Sequence, residues 1–192
     1  MKRSVGWREG SMVAVLMAAM VAAPPCLADE NGSIFQRWSA TLTGGAMFPA
    51  GKDGRILDPG PHLTGSVDYE VDQTLFVGPY FSYESSPDRL KTRLAGFGLH
   101  ARVNPNADLP GLFVEGALGG FRLTQREQAT ASGALESGTR FGGGFVVSYG
   151  LRESDRLTLG VEGSYHGVIL RRRAAIKFTT LGLFVRFRAP QF

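Results

Sequence analysis

From Trp38 almost to the end of the chain, apolar and polar residues take turns with a period of two. Successive side chains of a strand point to opposite faces, so this alternation predicts strands with two unlike faces. Trp38, Ala40, Leu42, Gly44, Ala46 and Phe48 share one face of the first strand, and Ser39, Thr41, Thr43 and Gly45 share the other. Seven further segments repeat the pattern at every second residue: Leu63 to Val71, Leu75 to Tyr83, Ala95 to Val103, Leu112 to Leu118, Phe141 to Tyr149, Leu157 to Tyr165 and Thr179 to Phe187. None of these positions is charged. The opposite faces carry Asp68, Glu70, His100, Arg102, Glu115, Arg140, Glu162, His166 and Arg186 together with many glycines, and read as polar and small.

Alternation alone leaves open which face is inside. A lipocalin-type barrel hides its apolar face and shows water the polar one. Lipid asks for the reverse, and it tolerates no charge on the outer face, where one at mid-bilayer costs roughly 2 to 4 kcal/mol. In a chain with 20% charged residues, an apolar face without a single Lys, Arg, Asp or Glu favours lipid. The aromatic residues sort by height in the same sense. Trp38, Tyr69, Tyr149 and Phe187 fall at one rim, and Phe48, Phe81, Tyr83, Phe141 and Tyr165 towards the other, as two interfacial girdles would.

Strands in hydrocarbon leave no edge unpaired, so the expected fold is all-β: a closed antiparallel up-and-down transmembrane β-barrel of roughly eight strands. Glycine on the inner face suits a barrel whose interior is only just wide enough for side chains. The longer connections (Pro49 to His62, Glu84 to Thr92, Arg122 to Gly138, Val168 to Ala175) alternate with shorter ones (Asp72-Gln73, Asn104 to Pro110, Leu151 to Asp155). With periplasmic termini the longer set is extracellular. Pro79 has no N–H for the ladder, which predicts a bulge or a gap in pairing in the third strand.

The N-terminus sets the compartment. Lys2, Arg3 and Arg8 precede an uncharged run from Met12 to Ala23, and Cys26-Leu27-Ala28 offers a cleavage site: the pattern of a secretory signal peptide over residues 1–28. The apolar run is too short for a spanning helix of roughly 20 residues, so a cleaved leader is expected. Ala23-Pro24-Pro25 before Cys26 lacks the small residue that lipoprotein processing needs. The expected mature chain has no cysteine, hence no disulfide and no thiolate metal site. Residues 29–37 then form a short periplasmic segment, 38–187 the barrel and 188–192 a C-terminal extension. Loss of the leader lowers the formal charge from +4 to +2, and no block of like charge points to nucleic acid.

At the C-terminal end, Thr180-Leu181-Gly182-Leu183-Phe184-Val185-Arg186-Phe187 resembles the assembly signal of outer-membrane proteins. The resemblance implies that Thr180, Gly182, Val185 and Phe187 are read by the barrel-assembly machinery, although Arg188 to Phe192 continue past the aromatic residue at which the usual pattern ends. Size, strand count and topology over residues 38 to 187 resemble the OmpA/OmpX-type small barrels, which implies a place in the outer membrane among lipid and lipopolysaccharide.

Candidate chemistry is sparse. Glu162, Ser164 and His166 share a face of one strand, but same-face neighbours two apart lie about 7 Å from each other, against the roughly 3 Å that a nucleophile and its base need. The His-x-Ser-Asn order of outer-membrane lipid A deacylases is not reproduced. Asp68, Glu70, Glu115 and Glu162 with His100, Arg102, Arg140, His166 and Arg186 instead predict a lumenal network of opposite charges that plugs the barrel. Arg171, Arg172 and Arg173 in the last outer loop are candidates for lipopolysaccharide phosphates, and the Thr/Ser/Gln-rich loop from Arg122 to Gly138 for a surface ligand. No cofactor and no metal site is expected. The leading expectation is a non-enzymatic barrel with a structural, envelope-integrity or surface-interaction role. A small-solute pore and a lipid A-modifying enzyme are the alternatives.

Overall fold

The computed structural model describes residues 38–50, 57–71, 74–87, 91–105, 109, 111–124, 138–169 and 176–189. The signal peptide, the segment 29–37, Arg171 to Arg173 and most of the loop after Arg122 lie outside the described residues. Eight strands follow one another: β1 (Trp38–Pro49), β2 (Gly60–Glu70), β3 (Leu75–Ser85), β4 (Arg93–Val103), β5 (Leu112–Thr124), β6 (Gly138–Glu153), β7 (Leu157–Val168) and β8 (Ile176–Arg188). Each pairs antiparallel with the next, and β8 returns to β1 from Ser39↔Arg188 to Pro49↔Phe178, closing the barrel. No helix occurs among the described residues. At 11 to 16 residues, the strands meet or exceed the roughly 9 to 11 that cross a bilayer at a tilt.

Exposure decides between the two faces. The charge-free positions look outward, with Phe97, Leu99, Leu118, Leu181 and Leu183 all more than 60% exposed, whereas Asp68, His100, Arg102 and Arg186 are at most 3% exposed inside. Trp38 and Tyr69 meet at the rim that carries the termini, their ring centroids 5.1 Å apart and their planes tilted by 59°. The links β1–β2, β3–β4, β5–β6 and β7–β8 gather at the opposite, loop-bearing rim.

Around Pro79 the β2–β3 ladder skips Val67 and Asp68, then resumes in unchanged register from Tyr69↔Val77, so the missing donor opens a gap rather than a bulge. Among the described residues, the one register shift lies between Gly150 and Arg152, where β6 runs past its expected end. Glycine inside β4 and β6 makes room for one ring. A Cβ on Gly96 would stand 2.6 Å, and one on Gly142 2.8 Å, from ring atoms of Phe121, which is itself fully buried.

The lumen departs from the polar, small face read off the sequence. Its loop-side half is filled by an apolar collar of Met47, Leu57, Leu94, Phe121, Leu123, Val168, Ile176 and Phe178. Four of these residues escaped the pattern because their strands are longer than the alternation suggested. Phe121 and Leu123 extend β5, and Ile176 and Phe178 begin β8.

Candidate functional site

The half of the lumen nearer the termini holds the main ionic cluster. Asp68 is at its centre, with Oδ1 2.7 Å from Nε2 of His100 and Oδ2 3.1 Å from Nη2 of Arg102. On its other side the His100 ring places Nδ1 2.8 Å from Oε1 of Glu115. Both ring nitrogens thus face carboxylates, the arrangement that suits an imidazolium, which has a donor on each side and no acceptor. Ser39 Oγ donates to Asp68 Oδ2 at 3.3 Å. Thr41 Oγ1 accepts from Arg186 Nε at 3.2 Å and from Arg102 Nη1 at 3.5 Å, and Thr43 Oγ1 donates to Glu162 Oε2 at 3.0 Å. Thr41 of β1 therefore links groups carried by β4 and β8, and Thr43 holds one carried by β7.

Aromatic rings flank the two guanidinium groups. Arg102 lies over Phe76 and Phe113, at 4.9 and 5.0 Å from the ring centroids, and Arg186 over Phe113 and Phe184, at 4.6 and 5.0 Å. The ring of Phe113 thus serves both cations, a favourable contact that grows as water is excluded. The sequence reading missed these rings. The signal was present in the spacing: Phe113 and Phe184 each sit two residues before a charge on the same inner face, Glu115 and Arg186.

The structure does not bring all nine charged positions together. Asp68, His100, Arg102 and Glu115 form one cluster, with Arg186 joined at its edge through Thr41, while Glu162 is held by Thr43. Glu70 is at the terminus-side end of β2, opposite Phe76. Arg140 lies towards the other rim, opposite Phe121, and donates from Nη1 to the carbonyl of Thr139 at 3.3 Å. His166 stacks on Phe178, with centroids 5.1 Å apart and planes 14° from parallel. A second pair went unread because both members were assigned to loop ends: His62 and Glu84, with Nδ1 to Oε1 at 3.4 Å, are buried at the level of the collar, Glu84 opposite Leu94.

The strand-seven constellation does not assemble for hydrolysis. Ser164 Oγ is 2.5 Å from Thr180 Oγ1, and His166 Nδ1 has no hydrogen-bond partner among the described residues. Among the described residues, no group of three or more His, Cys, Asp or Glu is placed to hold a metal ion. Of the C-terminal motif, Leu181, Leu183 and Phe187 face outward, and Thr180 is buried inside.

Solved structures supply the comparison. Neisserial surface protein A superposes with a TM-score of 0.64 at 13% identity, over 79% of this chain and 96% of that one. The fold is that of the small eight-stranded outer-membrane barrels. Two structures of the Yersinia pestis outer-membrane protein Ail agree with this barrel fold. One, in phospholipid nanodiscs, has a TM-score of 0.53 at 14% identity, covering 79% of this chain and 99% of that one. The other, in complex with the heparin analogue sucrose octasulfate, has 0.51 at 16% identity, covering 80% and 99%. No family model matches the chain, and no curated protein matches it in sequence.

Proposed function

We propose that this chain is an exported, non-enzymatic outer-membrane barrel whose lumen is shut by its own side chains, and which acts through envelope structure and its outer loops. The observation that carries the reading is the filled interior: an ionic layer around Asp68 on the terminus side and an apolar collar around Phe121 on the loop side. A barrel of this strand number has space for side chains and little else. The charge-free outer face and the shared fold support lipid as its solvent, with a leader at residues 1–28 to deliver it there and periplasmic termini that set the long loops outside. In that setting Thr180, Gly182, Val185 and Phe187 serve assembly. Arg171, Arg172 and Arg173 meet lipopolysaccharide phosphates, and the loop after Arg122 is open to a surface ligand. The bonding of Ser164 to Thr180 supports a role without hydrolysis.

Planar-bilayer recording of the refolded chain is the test. The expected result is no steady conductance. A large, persistent current would overturn the closed lumen and favour the small-solute pore.

A further inference from the structure

The outward face of β4, β5 and β6 changes character at one level near the loops. Below it the wall is apolar, with Phe97, Leu118 and Phe141 exposed. Above it Arg93, Arg122, Thr124 and Thr139 are exposed on the same face. The register sets them side by side. Ala95, Arg122 and Thr139 form one row across the three strands, and Phe97, Gly120 and Phe141 form the row beneath. Arg93 is opposite Thr124 and so diagonal to Arg122. Diagonal neighbours are about 7 to 8 Å apart, near enough for two long guanidinium side chains to share one anion. No carboxylate shares these rows, and the Arg122 guanidinium makes no hydrogen bond or ion pair among the described residues.

The lower row contains a notch. An outward glycine is covered at Gly65, where a Cβ would run into the ring of Phe81 on the neighbouring strand. At Gly120 neither flanking ring folds over, and a Cβ there would meet only Cγ2 of Thr139, at 3.6 Å. Leu118, one step down the same face, leans over Gly143 of β6 instead. A gap one strand wide therefore stays open between Phe97 and Phe141, with Arg122 one step above it, roughly 7 Å along β5. In a bilayer, alkyl chains are what fill such a gap, and long cationic side chains at the end of an apolar wall reach the level of the headgroups.

We propose that this patch binds one phosphorylated glycolipid of the loop-side leaflet, with the chemistry of lipid A. A phosphomonoester sits on the Arg93–Arg122 pair beside the hydroxyls of Thr124 and Thr139, and one acyl chain lies in the notch at Gly120. A phosphomonoester suits the paired forks because it offers three free oxygens and close to two charges. A zwitterionic headgroup would bring its own cation against the arginines. The proposal rests on the reading that the loop-side rim faces outward, and its site is separate from Arg171, Arg172 and Arg173.

The full chain in phosphatidylcholine nanodiscs would be irradiated with lipid A carrying a diazirine on an acyl chain, or with the same probe stripped of its phosphates, and the labelled positions mapped by mass spectrometry. The phosphorylated probe should label the segments around Phe97, Gly120 and Phe141 at least about tenfold more, the ratio that one charge-assisted contact supports. Arg93→Gln with Arg122→Gln should bring the two probes level. Arg152→Gln with Arg156→Gln, which removes the same charge at the opposite rim, should leave the preference intact. Gly120→Leu, which fills the notch and keeps both arginines, should move the labelling off these segments. Equal labelling by the two probes, or an equal loss in the opposite-rim variant, would overturn the proposal. So would loss of the preference on neutralising Arg171, Arg172 and Arg173, since the phosphate would then belong to the loop. A chain that did not enter nanodiscs at all would refute the membrane reading itself, which tells the two failures apart.

Discussion

Asp68→Ala should be among the most damaging single changes in the barrel. The native carboxylate stands between His100 and Arg102, at 2.7 and 3.1 Å, with no exposed surface of its own. Removing it leaves an imidazole and a guanidinium buried without their central partner. Breaking a buried pair from one side costs about 3 to 5 kcal/mol, because the remaining charge keeps its desolvation penalty and loses its compensation. The natural reference is Arg188–Glu153, an ion pair whose side chains are 44% and 42% exposed. Loss of an exposed pair costs no more than about 1 kcal/mol, so Glu153→Ala should scarcely register. Asp68→Asn keeps the size of the side chain and should lose most of what Asp68→Ala loses, which separates charge from cavity. Reversible urea unfolding in lipid vesicles, followed by Trp38 fluorescence and by heat-modifiable migration on gels, would report all three. If Asp68→Ala fell within about 1 kcal/mol of Glu153→Ala, the ionic layer would not be what holds the terminus-side half together.

Three further outcomes are expected. Phe121→Ala should cost about 3 to 5 kcal/mol in the same unfolding assay, since it empties the space that Gly96 and Gly142 leave for the ring. Neutralising Arg171, Arg172 and Arg173 together should weaken retention on immobilised lipopolysaccharide at low salt and leave the unfolding midpoint unchanged. An unchanged retention would remove that site. Phe187→Ala should slow the appearance of heat-modifiable protein in outer membranes of expressing cells while the purified variant still refolds in detergent, which separates recognition during assembly from stability.

Barrel closure was legible because lipid leaves no freedom on the outer wall: Leu99, Leu118 and Leu183 had to be apolar, and their period fixed the strands between them. The lumen obeys a looser rule. Inner residues answer only to one another, so Asp68, His100 and Arg102 could be placed inside but not paired, since the pairing depends on the register between β2 and β4 across β3. His62 and Glu84 escaped for a related reason. Alternation stops signalling where strands rise out of the hydrocarbon, and both residues sit just there, beside the loops. The collar was lost in the same zone, because Phe121, Leu123, Ile176 and Phe178 lie on the inner face, where apolar residues break the alternation that marked the strands lower down.

The two fillings of the lumen differ in kind as well as in height. In the proposed closed lumen, stacked along one axis, they act as two stoppers in a row: while either one holds, passage stays blocked, so relieving one alone changes almost nothing. A scan of single substitutions would therefore score nearly every lumenal position as silent for transport, whichever filling it touched. Only paired changes, one at the level of Asp68 and one at the level of Phe121, would show an effect, and it would exceed the sum of the two separate ones. On that proposal the barrel is a forgiving scaffold, because drift in either filling leaves the other in place.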